Sequence, residues 1–483
     1  MKTFFGYQKL YIGGLLVDSA SGERKPVICP GNEQTVGKIA WASETDAELA
    51  LNAAEVAFKD WSRRSISERF EWMIRLREAV IEKESELREA VMLESGKSWN
   101  ATEEDFESLI NSLEWYAHEV KHLRDEIIPD IECTHQHQLI SEPRGVVVAY
   151  LAWNFPLLNL AFKLGPALAA GCTIILRPSA STPLSAYLLG EIANSIGFPS
   201  GVINILTGPN DSVSQTLSSS KIPRVITMIG SSQTGLIAMN QAATSVKKFG
   251  MELGGNAPAI VFDDADLDET VDLLVAVKFG NCGQICVSPN RILVHHEIYD
   301  DFVEHFLEKT RRLRVGFGSK KESYDMGPLI DERARNRIRK LVARTIEQGA
   351  KLRLGGNVPK SLEKGYFYEP TVFSEVTSEM DIFKTEIFGP LASIVRFKDE
   401  HEAIDLANRS DCGLSSYLFT KDVHRIYRIS NVLEVGEVHV NGCKYSIYLP
   451  HGGVKESGLG HDCSHLALDD YLVKKRITLA LKG

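Results

Sequence analysis

Two cysteines, Cys282 and Cys286, lie four residues apart in the stretch FGNCGQICVSPNR, and their chemistry decides what kind of protein this is. Such a pair can be a metal clip, a disulfide, or a nucleophile with a bystander. A tetrahedral zinc site needs four ligands, or three and a water, and no CxxC or HxxxH motif lies nearby. Eight cysteines scattered over 483 residues are too sparse for a disulfide framework. We therefore expect no metal here, and Cys282 could simply be a small buried hydrophobe.

Two further side chains could assist a nucleophilic thiolate. Glu252, in FGMELGGNAP, can act as a general base if it lies in a partly apolar cleft, although a loop or helix-start carboxylate is the plainer interpretation. Asn154, in WNFP, follows a buried strand and is either a turn residue or an amide donor to an oxyanion. If a helix begins near Cys286, its N-terminal dipole would also favour the thiolate.

A glycine-rich turn gives a weak indication of a nucleotide site. The strand-like run VITMIG leads into GSSQTG, residues 230–235, and then into an apolar helix. Glycines at such a turn let backbone N–H groups and a helix N-terminus approach a phosphate. The pattern is not the GxGxxG fingerprint.

The surrounding elements predict an α/β protein. The stretch KLYIGGLLVDS near the N-terminus is strand-like, and from Ser43 the chain reads as amphipathic helices, such as SETDAELALNAAEVAFKDW. From Val146, apolar runs such as VVVAYLAW, TIILRP and VITMIG alternate with helical stretches, which indicates a doubly wound parallel sheet, and a second such series follows. The segments HQHQLISEPRG and KKRITLALKG read as polar strands that could pair with each other or with another subunit.

Composition narrows the class of partner. The chain has a net charge of −10, which argues against nucleic acid or an anionic membrane as the main partner. The N-terminus lacks the apolar run of a signal peptide, and we see no segment of the ~18 uninterrupted apolar residues that a membrane span needs. We expect a cytoplasmic protein of two or three domains.

Seven motifs together resemble the NAD(P)-dependent aldehyde dehydrogenase superfamily over essentially the whole chain. In order they are WNFPLLNLAFKLGPALAAGCTIILRP, ILTGP, IGSSQTG, MELGGNAP, FGNCGQICVSPNR, EIFGP and HGGVKESGLG. The resemblance implies an α/β fold with two doubly wound lobes and a small β oligomerisation element. It implies a dinucleotide-binding domain at 1–121 and 144–253, a catalytic domain at 254–463, and an oligomerisation element at 122–143 and 464–483. A homodimer or homotetramer is the assembly it implies.

The resemblance also assigns catalytic roles. Cys286 would attack the aldehyde, while Asn154 and the backbone N–H of Cys286 would hold the oxyanion. Hydride would pass to the nicotinamide, and Glu252 would activate the water that hydrolyses the thioester. Lys163 and Asp462 match positions that can relay protons. Cys286 is then the nucleophile and Cys282 the bystander.

The cofactor site that the resemblance implies departs from the family at one place. NAD-preferring members usually carry Lys-Pro-Ser/Ala-Glu where this chain has Arg177-Pro178-Ser179-Ala180. Ala180 removes a carboxylate that would repel a 2′-phosphate, and arginine suits a phosphate, so we expect NADP to be accepted as well as NAD. Arg177 could equally be a neutral replacement of lysine. The implied cofactor residues are Trp153, Arg177, Ser179, Gly208, Gly230, Ser231, Gly235, Leu253, Glu386 and Phe388.

The implied substrate pocket departs as well. Phe162 and Gly280 stand where members acting on succinate semialdehyde carry carboxylate-binding arginines. This predicts an uncharged aliphatic or aromatic aldehyde, with a semialdehyde as the alternative. His451 stands where the family usually has Phe and His461 where it usually has Arg, and both could tune the pocket or lie at its rim. The candidate pocket residues are Trp115, Phe155, Phe162, Ile285, Val287, Tyr445, Tyr448 and His451.

Three rival functions follow from the same family. A CoA-acylating enzyme is disfavoured because such members lack the glutamate found here as Glu252. A non-catalytic structural or binding member is disfavoured because Cys286, Glu252 and Asn154 are all retained. A cofactor-independent acyl-thiol hydrolase would be a side activity at most.

Overall fold

The computed structural model describes residues 4–318, 320 and 324–481, and its helices surround two large sheets. No helix in these ranges has both the length and the apolar character that a bilayer crossing requires. The α-helices are α1 (Glu44–Trp61), α2 (Ile66–Glu82), α3 (Glu84–Ser95), α4 (Thr102–Glu119), α5 (Pro156–Ala170), α6 (Leu184–Ser195), α7 (Gln215–Ser219), α8 (Ser232–Ala242), α9 (Leu267–Phe279), α10 (Tyr299–Arg311), α11 (Glu332–Glu347), α12 (Asp381–Lys384), α13 (Glu400–Asn408), α14 (Val423–Ser430) and α15 (Leu466–Tyr471).

The strands follow the same chain order, and single turns of other helix types occur at Val120–His122, Asn210–Ser214 and Gly280–Gly283. The strands are β1 (Tyr7–Gln8), β2 (Leu10–Ile12), β3 (Leu15–Val17), β4 (Arg24–Ile28), β5 (Thr35–Ala40), β6 (Glu126–Ile128), β7 (His135–Pro143), β8 (Val146–Tyr150), β9 (Thr173–Arg177), β10 (Ile203–Ile205), β11 (Pro223–Ile229), β12 (Lys248–Glu252), β13 (Ala257–Val261), β14 (Pro289–His295), β15 (Lys351–Leu354), β16 (Thr371–Ser374), β17 (Leu391–Phe397), β18 (Cys412–Gly413), β19 (Ser415–Phe419), β20 (Glu437–Val440), β21 (Val454–Lys455), β22 (Gly458–Leu459) and β23 (Leu472–Ala480).

The first large sheet has the order β22-β12-β11-β8-β9-β10-β2-β3, and its five central strands are parallel. Every residue of β8 is buried, as expected for a strand covered on both faces by helices. Ligands of such sheets bind beyond the carboxyl ends of the strands. At those ends lie Asn154 after β8, Gly230 after β11 and Glu252 as the last residue of β12.

Helix α5 shows how local sequence positions a site residue. Pro156 occupies the first turn, where its missing N–H has no intrahelical partner to lose, and Gly171 ends the helix in the left-handed conformation at φ 87°. Between them, thirteen of the fifteen residues are buried, and Lys163 is among them. A lysine in so apolar a helix needs a buried partner, which the site supplies.

The second large sheet has the order β15-β16-β17-β14-β13-β19-β20 and is parallel except for the edge strand β15. The predicted two-lobed α/β architecture is therefore confirmed. Cys286 precedes β14 by three residues, and β20 lies at the opposite edge from β15.

A separate three-stranded sheet has the order β23-β7-β6. Its long pair, β7 with β23, is antiparallel over nine residues, so the two polar segments pair with each other. Ile127, Ile131 and Leu479 are exposed there. The domain boundaries at 1–121, 144–253 and 254–463 stay a prediction, and so does the oligomerisation role of 122–143 and 464–483.

Candidate active site

A cavity of about 1300 Å³ is lined by residues from both the first and the second α/β lobe. Gly230, Ser231 and Glu386 line one end, and Tyr445 and His451 line the other. The walls between the two ends also carry Asn154, Glu252 and Cys286. The residues singled out from three separate motifs therefore face one cavity.

The two cysteines of the FGNCGQIC stretch have different environments. Asn281 and Cys282 adopt left-handed φ values of 47° and 59°, so the chain turns sharply after α9. Cys282 is completely buried, and burial raises the pKa of its thiol far above the ordinary value. Cys286 is partly exposed and lines the cavity. It lies in a loop that leads into β14, so no helix begins there and the dipole argument does not apply.

The amide of Asn154 is held in one orientation. Its oxygen accepts a hydrogen bond from Asn159 at 3.2 Å, and its nitrogen donates to the carbonyl of Gln284 at 3.1 Å. Because an amide nitrogen carries two N–H groups, one remains for a ligand. Asn281 donates to the backbone carbonyl of Asn154 at 2.9 Å and so ties this loop to the segment before Cys286.

Glu252 is a buried carboxylate without a hydrogen-bond partner. It is 4% exposed, and neither side-chain oxygen is hydrogen-bonded within the described part of the chain. Burial raises its pKa well above the ordinary value, and the nearest cation, His451, only partly opposes this shift, with Nε2 at 3.8 Å from Oε2. Such a group can take a proton from a water molecule near neutral pH.

The glycine pair after Glu252 lets two other segments approach closely. A Cβ on Gly255 would lie 2.2 Å from the carbonyl oxygen of Cys286, and one on Gly254 would lie 2.6 Å from Oε2 of Glu386. The cysteine loop and the carboxylate of the EIFGP motif therefore lie directly against the glycine pair of the MELGG motif.

Lys163 and Asp462 form a closed buried pair. The lysine Nζ donates to both carboxylate oxygens, at 2.6 and 2.7 Å, and the two side chains are 1% and 5% exposed. The charge of each also acts on Glu252, because Asp462 raises and Lys163 lowers the pKa of that carboxyl.

A second, partly buried pair, His451 with Glu437, was not recognised from the sequence as a pair. Nδ1 of His451 lies 2.6 Å from Oε1 of Glu437, and both residues line the cavity. The other carboxylate oxygen of Glu437 lies 3.4 Å from Nε2 of His439 without hydrogen-bond geometry. One sequence feature pointed to this cluster: Glu437 and His439 are two residues apart in the short strand EVHV and therefore share one face of it.

The cofactor motifs meet at the other end. The ring of Trp153 packs edge-on against Phe388 with centroids 5.3 Å apart, and Glu386 accepts a hydrogen bond from the N–H of Gly255 at 3.0 Å. Burial raises the pKa of Glu386. A carboxylate with one oxygen already anchored and an adjacent flat aromatic face suit a ribose hydroxyl and a nicotinamide ring.

The predicted phosphate and adenosine region is built largely from backbone. Ser231 caps the N-terminus of α8, and a Cβ on Gly208 would lie 2.4 Å from a backbone oxygen. Gly235 packs against Leu253, which a Cβ would approach to 2.8 Å. Arg177 is mostly committed to the protein, because it donates to the carbonyl of Gly208 at 2.9 Å and to the side chain of Asn210.

Comparison with known proteins agrees with this geometry. The model of the aldehyde dehydrogenase family matches residues 16–477. The chain belongs to the aldehyde dehydrogenase family. It is 38% identical to a 3-sulfolactaldehyde dehydrogenase of Pseudomonas putida, over 98% of this chain and 97% of the relative. It is 36% identical to the NADP⁺-linked succinate-semialdehyde dehydrogenase of Escherichia coli, over 98% of each chain.

A solved structure extends the likeness to three dimensions. The betaine aldehyde dehydrogenase of Staphylococcus aureus in complex with NAD⁺ superposes with a TM-score of 0.96 at 32% identity, over 99% of this chain and 95% of that one. This protein is therefore an oxidoreductase that acts on aldehydes and uses NAD or NADP.

The pocket residues of this aldehyde dehydrogenase divide into two groups. Trp115 and Tyr448 lie outside the cavity lining: Trp115 packs edge-on against Tyr116, and Tyr448 is 46% exposed. His461 is exposed, which places it at the rim at most. Gly280 lines the cavity together with the remaining predicted pocket residues, namely Phe155, Phe162, Ile285, Val287, Tyr445 and His451.

Proposed function

We propose that this enzyme oxidises an aldehyde to the carboxylic acid through a covalent bond to Cys286. The observation that carries the proposal is the convergence of the partly exposed thiol of Cys286, the oriented amide of Asn154 and the unpartnered carboxylate of Glu252 on one cavity. Each belongs to a different strand end. A structural role for all three would not require a buried carboxylate without hydrogen bonds.

In the first step the thiolate sulfur of Cys286 bonds to the carbonyl carbon, and the π electron pair of the C=O bond moves to oxygen. The carbonyl oxygen becomes an oxyanion, which the free N–H of Asn154 and the backbone N–H of Cys286 stabilise. Because the amide of Asn154 is already fixed by Asn159 and Gln284, it needs no reorganisation. One such donor is worth roughly 3 kcal/mol in the transition state.

The second stage ends in a free acid. A nicotinamide held by Trp153, Glu386 and Phe388 would supply the acceptor for the hydride of the former carbonyl carbon, and Cys286 would then carry the acyl group as a thioester. Glu252 takes a proton from a water molecule, and the resulting hydroxide attacks the thioester. The carbon–sulfur bond then breaks and the thiolate of Cys286 is restored.

Lys163 and Asp462 act on Glu252 at a distance in this scheme. Their closed pair lies beside the carboxylate and influences its charge. A proton taken up by Glu252 can leave through this pair, which is the relay that the sequence predicts. Neither residue lines the cavity, so neither touches the reacting atoms.

The cofactor end carries the named residues Trp153, Glu386 and Phe388 around the nicotinamide. Gly208, Gly230, Ser231, Gly235 and Leu253 would shape the phosphate and adenosine region, with Arg177 and Ser179 at the ribose. We propose that NADP is accepted because Ala180 offers no carboxylate against a 2′-phosphate. Arg177 contributes less than the sequence predicts, since its guanidinium is bonded to the protein.

The substrate we propose is an uncharged aliphatic or aromatic aldehyde. Phe162 contributes an apolar surface, Gly280 carries no side chain, and Glu437 adds a negative charge that disfavours a carboxylate. A semialdehyde is the second candidate because several relatives are named for succinate or glutarate semialdehyde. The exposed amine of Lys444, on the cavity lining, is a cation that could receive such a carboxylate.

We also propose a homodimer or homotetramer in the cytoplasm, without nucleic acid or membrane as partner. The support for assembly is the separate sheet of β6, β7 and β23, whose Ile127, Ile131 and Leu479 are exposed. Apolar side chains on an edge element are typical of a surface covered by another subunit.

The test is a panel of initial rates of nicotinamide reduction without CoA. The aldehydes are an aromatic, a medium aliphatic, a hydroxyaldehyde and a short acidic semialdehyde, each with NAD⁺ and with NADP⁺. We expect reduction with an uncharged aldehyde and none with Cys286→Ala. A clear preference for the acidic semialdehyde would replace the substrate proposal, and activity that appears only with CoA would replace the hydrolytic one.

A further inference from the structure

The helix that follows the oxyanion segment, α5, has no side-chain cap from its own sequence. Its N-cap residue is Phe155, which makes no capping hydrogen bond, and Pro156 at the first helical position has no N–H. The next two backbone N–H groups, of Leu157 and Leu158, have no partner within the helix and need an acceptor from elsewhere. Asn154 lies two residues before α5, so the position of the helix start determines where Asn154 lies.

Asp105 supplies this acceptor from the neighbouring helix. It lies in the first turn of α4 and is completely buried, and its Oδ1 accepts the N–H groups of Leu157 and Leu158 at 3.1 and 3.2 Å. A carboxylate suits this place because the N-terminal end of a helix carries a partial positive charge. Further along, the hydroxyl of Ser112 donates to the carbonyl of Ala161 at 2.7 Å. The start of α5 is therefore fixed to α4.

The second oxygen of Asp105 is occupied by Lys97. The lysine Nζ donates to Oδ2 of Asp105, and both side chains are completely buried. The same ammonium lies over the ring of Phe155, 3.3 Å from its centroid, which is a cation–π contact. Burial lowers the pKa of Lys97, and the charge of Asp105 opposes this shift. The pair thus joins the cap of α5 to the residue next to Asn154.

The first turn of α5 also sets the direction of the Asn154 amide. The side chain of Asn159 donates to Oδ1 of Asn154 at 3.2 Å and to the carbonyl of Ala152 at 3.1 Å. The backbone N–H of Asn159 donates to the carbonyl of Phe155 at 2.9 Å, which belongs to the helical ladder. Because Asn159 is part of this ladder, a displaced helix start would move the amide of Asn154.

We propose that Asp105, paired with Lys97, is a positioning residue for the oxyanion donor Asn154. Asp105 holds the start of α5, the start of α5 places Asn159, and Asn159 orients the amide of Asn154. The donor then meets the developing oxyanion without reorganisation. Asp105 does not line the cavity, so it acts only through these intermediates. The inference deepens the proposed function and rests on it for the role of Asn154.

Asp46 offers a matched comparison elsewhere in the fold. It is also a buried carboxylate that accepts backbone N–H groups, those of Ala20 at 3.0 Å and Ser43 at 2.7 Å. Asp46, Ala20 and Ser43 do not line the cavity. Loss of this carboxylate should therefore affect folding without affecting the amide of Asn154.

The experiment is a double-mutant cycle on the complete enzyme. Asp105→Asn keeps the shape of the side chain, but its amide nitrogen would face either the N–H groups of α5 or the ammonium of Lys97, donor against donor. Values of kcat and KM for the best aldehyde of the panel are measured at saturating cofactor in wild type, Asp105→Asn, Asn154→Ala and the double variant. Lys97→Gln enters a second cycle as the milder change. Asp46→Asn is the control, and chemical denaturation gives the stability of every variant.

We expect Asp105→Asn to lower kcat about tenfold, against a roughly 10²-fold loss in Asn154→Ala, with the KM of the aldehyde changed less than about threefold. In the Asn154→Ala background the same substitution should lower kcat by less than about twofold, because no amide remains to be misplaced. Lys97→Gln should act in the same direction by less. Asp46→Asn should lower stability and leave kcat unchanged.

The outcomes separate the positioning role from the proposed function. An equal fall of kcat in both backgrounds would overturn the positioning role and leave the proposed function standing, because the loss would not pass through Asn154. An unchanged kcat in Asp105→Asn, or an equal loss in Asp46→Asn, would overturn it as well. If Asn154→Ala alone kept the wild-type kcat, the oxyanion assignment of the proposed function would fail, and the positioning role with it.

Discussion

The two ends of the cavity are built in different ways. The cofactor end consists mainly of backbone: Gly208 and Gly255 let main-chain oxygens of other segments approach closely, and Ser231 caps a helix. The opposite end, around Cys286, is filled with ionisable side chains. Those side chains are Glu252, Glu437, His439 and His451, with the Lys163–Asp462 pair behind them.

The difference reflects what each end has to do. A dinucleotide is held by shape, N–H groups and one anchored carboxylate, and none of these needs to change during a turnover. The reacting end has to move protons, so it needs buried groups whose pKa values are displaced from ordinary values. We therefore expect substitutions at the reacting end to stop chemistry and those at the cofactor end to change preference.

The largest effect is expected from Cys286→Ala. Loss of the nucleophile should lower kcat by roughly 10⁴-fold or more, because burial raises the pKa of the two other cavity-lining thiols, Cys443 and Cys463, and so disfavours their reactive thiolate form. Steady-state rates with the best aldehyde provide the measurement. Cys282→Ala is the matched control, since that thiol is buried away from the cavity, and it should keep most of the activity. Equal losses in both variants would contradict the assignment of roles.

Glu252→Gln should have the next largest effect. Removal of the base should slow hydrolysis by roughly 10³-fold, so that an acyl-enzyme accumulates and the first turnover appears as a burst. In wild type, burial raises the pKa of Glu252, and the base works only when ionised, so kcat should rise as the pH increases through that raised pKa. The rise should be lost in the variant.

A pre-steady-state burst with intact-mass detection of the acylated chain would check this assignment. A variant that shows neither burst nor acyl adduct, yet has lost activity, would mean that Glu252 acts before the thioester forms.

Lys163→Met should lower the free energy of unfolding. It leaves Asp462 buried without its partner, which costs about 3 kcal/mol in the free energy of unfolding, at the lower end for such losses because the carboxylate can take up a proton. Chemical denaturation of the folded protein measures it. Lys475→Met, which removes the exposed pair with Glu142, is the control and should cost less than about 1 kcal/mol. A similar small loss in both would mean that the buried pair is dispensable.

The contrast between the two ends also explains what the sequence could predict. The alternating α/β architecture and the cofactor motifs are local, because a strand, its turn and the next helix are contiguous in VITMIG and GSSQTG. The contacts of Cys286, Glu252 and Asn154 were predictable through the family resemblance, since each sits in a motif. Their roles remain predictions that the experiments above address.

The His451–Glu437 pair could not be predicted from the sequence or from the family resemblance. Glu437 begins β20 at the edge of the second sheet, and His451 lies on a loop that pairs with Asp462. The sequence around either residue does not predict the contact, because the contact depends on how β20 packs against the loop. The loop at Cys286 was also not predicted: the sequence analysis considered a helix start near Cys286, whereas Asn281 and Cys282 are left-handed and a loop leads from them into β14.

The smallest effect is expected at the cofactor end, from Ala180→Glu. A carboxylate at this position would accept ribose hydroxyls and repel a 2′-phosphate, so kcat/KM with NADP⁺ should fall about tenfold relative to NAD⁺. Ala180→Gln has the same size without charge and should change the ratio less. Because Arg177 is bonded to Gly208 and Asn210, it cannot move freely to offset the new charge. If Ala180→Glu left the ratio of kcat/KM with NADP⁺ to that with NAD⁺ unchanged, this loop would not face the ribose. Another residue at the cofactor end would then have to determine the choice between NAD⁺ and NADP⁺.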